Sequence, residues 1–446
     1  MRALLTYGPG IPRYLALWIA AAPLLAAALV VLRARPRAAL AIGLSTLPTF
    51  LLHNPPAWLP FPLRWLILTG ILVALGLWLA GRLRGDAPPD AAVARPARWP
   101  LVLGLAALAI VLRAPLAWLD PGIADIPRAS ETAARQLLDG RNPWTQPNPE
   151  TVAGTYQYPA GSLLAHLPFV ALAPRELAGE AWAGARLTVL AGEVAAVVAL
   201  ALAGAAAGHP RGGVIAAAAY ALSPTLIRDS GMTVANDLLL GLAALGAAVA
   251  LARGRVALSA VLAGVAVSVK PAAVVLLPLL LAAAGPRAAL LAAAVPVLLQ
   301  MPFLLWPAPG LHGIAAILEP VGRSEPGAVL EYSTWAPVYR LVGTGEAALR
   351  AVGSLGAGIG LAGGWWAGRK LRAAPAPAST ARTAAAFSFA LLVPFLFAFV
   401  QRTNYQDWYL APFLLCAGLV GAASPQPGRV RRRTVARESI GFRVDE

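Results

Sequence analysis

The chain has 446 residues, of which 59% are hydrophobic and only 13% are charged, with a mean hydropathy of +0.68. A soluble domain is about 45–50% apolar and about 25% charged, so this composition excludes an ordinary soluble enzyme and points to the membrane. The net charge of +16 is no sign of nucleic acid. Lys270 and Lys370 are the lysines, and many of the arginines sit in short connectors between apolar runs, as the positive-inside rule requires.

Taken in chain order, apolar windows fall at about 14–32, 38–52, 64–81, 100–118, 186–207, 212–227, 236–252, 256–269, 272–284, 288–306, 347–368, 383–400 and 408–423. A span needs roughly 20 apolar residues. The pattern predicts an all-α polytopic membrane protein of about 13 transmembrane helices, in a range of about 11 to 13. Residues 1–423 then form one integral-membrane domain, and 424–446 a basic cytoplasmic tail. The Ala-rich stretch Leu15–Leu32 runs into Arg33 without a cleavage site, so it reads as a first span and not a signal peptide. Cys416 is alone in an apolar run, which excludes an intrachain disulfide.

Basic clusters set the sidedness. Arg33/Arg35/Arg37, Arg82/Arg84/Arg95/Arg98, Arg211, Arg253/Arg255, Arg287, Arg369/Lys370/Arg372/Arg382 and the Arg429–Arg433 tail share one face if the N-terminus is outside. That face is the cytoplasm. The arrangement requires residues 256–284 to be two short spans meeting at Lys270-Pro271. Pro271 disfavours a helical Lys270, and a lysine at mid-bilayer costs several kcal/mol.

The outer connections are long, mixed in charge and aromatic: 119–185, Arg228-Asp229 to Asn236-Asp237, 307–346 and Gln401–Asp407. Within the first, Asp125 to Gly140 reads as a short helix. Asp125 is its N-cap, Pro127 lies in its first turn and Gly140 follows its end. Ile126, Ala129, Ala133 and Leu137 share a face that predicts a helix lying in the membrane interface; Glu131 reads as solvated. The second long loop, 307–346, carries His312, Glu319, Glu325, Glu331, Tyr332 and Trp335, and reads as a mobile lid or a passive cap. No His/Cys cluster has metal-ligand spacing. No Gly-rich phosphate loop follows a strand, which argues against a nucleotide-sugar donor.

Several motifs carry a resemblance. An acidic residue opens the outer helix, Gly140-Arg-Asn-Pro-Trp144 follows it, and Tyr156-Gln-Tyr158-Pro159 leads back to the membrane. Asn236-Asp237 opens a span. Lys270-Pro271 follows Gly254-Arg255 and Gly264, and Asn404-Tyr405 precedes Trp408-Tyr409-Leu410. In this order, over about 100–423, the chain resembles the C-type integral-membrane glycosyltransferases, nearest the mannosyltransferase-like glycosyltransferase family 87. It departs from them in reading Tyr-Pro-Ala where Tyr-Pro-Pro is usual, and in lacking an aromatic near the helix start.

The resemblance implies an inverting transfer of a sugar, mannose foremost, from a polyprenyl-phosphate donor to a lipid or glycan acceptor at the outer face of the cell membrane. No cofactor is expected, and nothing in the sequence motivates a metal, a divalent ion bridging Asp120 and Asp125 included. It implies Asp125 as general base, where helix capping is the competing role, with Asp120 second. A departing lipid phosphate calls for cations: Lys270 and Arg402 first, with Arg228 and Arg128 behind them. Tyr156, Tyr158, Asn236, Asp237, Tyr405, Asp407 and Glu331 are the expected substrate contacts, where helix capping competes for Asn236 and Asp237 and an aromatic belt for the tyrosines. A transporter or flippase for a lipid-linked substrate is the alternative. Against it stand the lack of an internal repeat and charges that collect in outer loops instead of mid-span. A non-catalytic assembly factor would leave the loop carboxylates unexplained.

Overall fold

The computed structural model describes residues 13–53, 60–90, 96–119, 125–151, 154–156, 158–173, 182–232, 234, 237–306, 341, 345–374, 378–396 and 407–422. The described residues are 84% helical and include no strand. The helices in chain order are α1 (Arg13–Val31), α2 (Pro36–His53), α3 (Phe61–Gly81), α4 (Trp99–Leu119), α5 (Asp125–Leu138), α6 (Ala160–Leu172), α7 (Ala183–Ala206), α8 (Pro210–Leu222), α9 (Asp237–Ala252), α10 (Val256–Val269), α11 (Leu276–Ala284), α12 (Pro286–Leu305), α13 (Glu346–Arg372), α14 (Thr380–Leu396) and α15 (Asp407–Ala422). Within the described residues, each apolar window carries a helix. Among the described residues, four segments, Trp65–Gly85, Trp99–Trp118, Ala183–Ala206 and Pro286–Leu305, are long and apolar enough to cross a membrane.

Where lipid replaces water there is little hydrophobic force between helices, so close approach of small residues takes over. Gly204 abuts Gly213, and Gly212 abuts Gly418, which brings α7, α8 and α15 together backbone to backbone. The two short helices around Lys270 do not form one rod. Lys270 is extended, at φ −149 and ψ 124, and a 3-10 turn, Pro271–Val275, follows it. Gly264 of α10 lies against Ala292 and Val295 of α12. A straight α10–α11 rod would carry Gly264 about three turns past that level, so the chain reverses at Lys270. α13 then runs parallel to α11, because Gly364 meets Val275 and Gly368 meets Leu279.

These directions collect the arginine-rich connectors at one end of the bundle. Arg211 donates to the carbonyls of Leu32 and Arg33 at 2.6–2.9 Å. The Arg35 N–H reaches the Gly421 carbonyl at 3.2 Å, and the His209 ring lies 3.0 Å from the Pro89 carbonyl. The opposite end, called the far end below, carries α5, the Lys270 break and the start of α9.

One segment differs from the sequence reading. The stretch 160–185 was expected to be outer loop, but it contains α6. Gly161 of α6 meets Ser268 near the end of α10, while Val170 meets Gly184 at the start of α7. Both contacts are at the far end, so α6 lies across it. Its 13 residues reach about 20 Å, less than the roughly 30 Å of a hydrocarbon core.

Packing this close makes a direct prediction. A side chain at Gly364 would press on the Val275 backbone, whereas at Gly104 it would meet nothing within 4 Å. Overpacking costs about 1–3 kcal/mol or more. Gly364→Val should therefore remove most of the monodisperse peak in size-exclusion chromatography of solubilised protein, and Gly104→Ala should keep it.

Candidate functional site at the far end

Helix α5 forms where the sequence predicts it and stops before Gly140, whose φ of +72 suits a residue without a side chain. Its apolar face does not lie in lipid. Ala129, Ala133 and Ala134 are buried in a cluster with Trp144, Tyr156, Ala160, Leu163, Val170 and Phe303. The sequence reading missed this because α6, which supplies much of the seat, was not anticipated. Glu131 is a second correction: its side chain is 0% exposed. Its carboxylate accepts from Arg135 at 2.7 Å and from the backbone N–H of Ala185 at 2.9 Å, a donor that the start of α7 leaves open. Glu131 thereby fastens α5 to α7.

The loop after α5 is tied down just as firmly. The Asn142 amide donates to the Phe303 carbonyl at 2.8 Å, and Asn148 donates to the Ala129 carbonyl at 3.0 Å. Gln300 accepts from the Ala160 N–H at 3.0 Å. Tyr156 is wholly buried, with its hydroxyl 3.3 Å from that of Ser130. Burial pushes this phenol up to about 12, against the hydrogen bonds of Ser130 and Ser162. Tyr156 thus packs the loop instead of facing a substrate, contrary to the expectation for it. The half-buried Tyr158 packs edge-on to Tyr156 at 5.6 Å between centroids.

Beneath this cap lies a polar cluster that the sequence reading missed. Arg113 of α4 and Glu193 of α7 form an ion pair at 2.8 Å, with both side chains 0% exposed. Arg113 also donates to the carbonyls of Ala221 at 2.9 Å and Tyr220 at 3.1 Å, covering the end of α8. Glu193 accepts the Ser230 hydroxyl and, at 3.4 Å, that of Tyr220. The segment so held, Ile227–Met232, is a π-helical turn. It presents Arg228 paired with Asp229 at 2.5 Å. Asp229 in turn lies close enough to Asp237 and Glu193 to feel both charges.

Asp237, in the first turn of α9, pairs with Lys270. The contact of Gly161 with Ser268 sets the Tyr158–Ala160 return beside that break. Of the expected residues, the structure therefore brings together Lys270, Asp237 and Arg228, with Tyr158 on the adjoining return. Arg128 pairs instead with Glu150 at 3.2 Å. Asp120, Asn236, Glu331, Arg402 and Tyr405 lie outside the described residues, as do the side chains of Asp125 and Asp407. The signal for Arg113 and Glu193 was present in the sequence: a charge inside an apolar window marks a functional position by default. Those two residues also overturn the expectation that charge avoids mid-span.

Removing one partner of a buried pair strands the other, at about 3–5 kcal/mol. Arg113→Met and Glu193→Leu should each lower the melting temperature of the solubilised protein strongly. The double variant should lose less than the two losses combined. Strict additivity would show that the pair is not a unit.

No protein-family model and no curated protein matches this sequence. Among solved structures, the chain is similar to an archaeal oligosaccharyltransferase, AglB from Archaeoglobus fulgidus, in complex with an inhibitory peptide and a dolichol-phosphate. The TM-score is 0.44 at 13% identity, over 78% of this chain and 52% of that one. The chain thus spans about half the length of that structure, and a likeness at this level carries no argument about activity.

Proposed function

We propose that the protein is a membrane glycosyltransferase working at the far end of the bundle, taken as the extracytoplasmic side. It moves a sugar, mannose foremost, from a polyprenyl phosphate to a lipid or glycan acceptor with inversion. The observation that supports this most is the meeting of the Tyr158–Ala160 return, the Lys270 break and Asp237 under a loop helix seated on protein.

In the proposed reaction the acceptor oxygen bonds to the anomeric carbon as the bond from that carbon to the phosphate oxygen breaks. Asp125 takes the hydroxyl proton, and the electron pair leaves with the lipid phosphate. That anion needs cations more than it needs an acid, a role that falls to Lys270, Arg228 and Arg402. Lys270 and Arg228 each have a carboxylate partner, which keeps a buried cation compensated until a phosphate competes for it. Asp120 is the second candidate base. Tyr158, Asn236, Asp237, Tyr405, Asp407 and Glu331 are the proposed substrate contacts.

The Arg113–Glu193 pair favours a second reading, a transporter for a lipid-linked substrate, because intramembrane charges often mark transport paths. Its hydroxyl and carbonyl partners fit a fixed clamp better. One assay separates the two: vesicles carrying labelled polyprenyl-phosphate sugar and a panel of acceptors. Asp125→Asn should cut transfer by about 10²–10⁴-fold, and Lys270→Gln by roughly tenfold or more. Full transfer by Asp125→Asn would remove the base assignment. Label that crosses the bilayer without being transferred would favour transport.

A further inference from the structure

At the basic end, the π-helical turn Arg82–Asp86 closes α3, against the last turn of α13 and the start of α14. Gly85 permits that turn, since its φ of +133 is one that side chains rarely adopt. Between the three elements lies a hollow of about 370 Å³, open on one side, lined by Arg84, Gly85, Lys370, Ala373 and Arg382 among others. Three cations from three separate elements thus face one space, and no carboxylate is among its described lining residues.

Sidedness alone explains why cations gather at this end. It does not explain their convergence on one hollow, where like charges repel. The nearby Asp90 is already engaged, accepting the Thr380 backbone N–H at 3.0 Å and its hydroxyl at 2.7 Å at the start of α14. The Asp86 side chain lies outside the described residues. Arg382 keeps an enclosed Nε without a hydrogen-bond partner among the described residues. The Lys370 ammonium stands 5.9 Å from the Trp366 ring centroid, a contact that orients the ammonium without neutralising it.

We propose that this hollow binds a phosphate group at the membrane surface, presented by the headgroup of an anionic phospholipid or as free inorganic phosphate. Two guanidinium forks and an ammonium suit phosphate oxygens, and one anion replaces three repulsions with three attractions. Exposed apolar side chains on the flanking helices, Leu77 of α3 with Leu361 and Trp365 of α13, give acyl chains a surface to follow. This favours the lipid source.

The test uses the full chain, purified and re-lipidated with phosphatidylcholine alone or with added phosphatidic acid, and counts retained lipids by native mass spectrometry. The wild type should retain phosphatidic acid over phosphatidylcholine. The triple variant Arg84→Gln/Lys370→Gln/Arg382→Gln should lower that preference at least about tenfold. Arg255→Gln, a basic connector residue outside the hollow, should leave it unchanged. Should the triple variant aggregate, Lys370→Gln alone is read in the same way, with an expected drop of roughly threefold. Displacement of the lipid by millimolar inorganic phosphate would support the site with the free anion as a ligand; persistence would support it with the lipid. Equal retention by wild type and folded variants, or equal damage from Arg255→Gln, would overturn the proposal.

Discussion

Much of the far end depends on the salt bridge between Arg113 and Glu193. A charge in an apolar bundle is tolerable only when compensated, and this pair faces its counter-charge at 2.8 Å while both side chains bond to further polar groups. Arg113 covers carbonyls at the end of α8, and Glu193 takes hydroxyls from Tyr220 and Ser230. Three elements, α4, α7 and the turn after α8, are therefore fixed relative to one another by two side chains. What they hold is the π-helical turn that carries Arg228 and Asp229. Such a turn frees backbone groups that a regular helix would pair, so an irregular segment at this depth has to be anchored by its neighbours.

The two ends of the bundle use charge in different ways. At the basic end, cations cluster in connectors and around a hollow with no described carboxylate in its lining. At the far end three described cations have acidic partners, Arg113 with Glu193, Arg228 with Asp229 and Lys270 with Asp237, while Arg186 lies over the Trp118 ring. Balanced, buried pairs favour a site that stays neutral when empty and exchanges partners when an anion arrives. Helix α5, locked through Glu131 and its loop, closes that region from above with little slack.

Much of this was legible in the sequence. Composition and apolar windows placed the helices, and Pro271 after Lys270 placed the chain reversal, because both signals act locally on backbone and solvent. The seat of α5 was not legible: α6 is too short to register as a span, and its role emerges only from contacts with α7 and α10 that lie far away in sequence. Glu131 looked solvated because its partner, the Ala185 N–H, comes from another helix. Arg113 and Glu193 were legible as charges within apolar runs, but their pairing depends on how α4 packs against α7.

The central claim is that the Lys270 break at the far end receives a lipid phosphate facing Asp125. Its most direct test is an electron cryo-microscopy structure of the protein in nanodiscs with a polyprenyl phosphate added. The account predicts phosphate density beside Lys270, with Asp237 displaced from its pairing and Asp125 across the gap. Phosphate density elsewhere, with the Lys270–Asp237 pair intact, would contradict it.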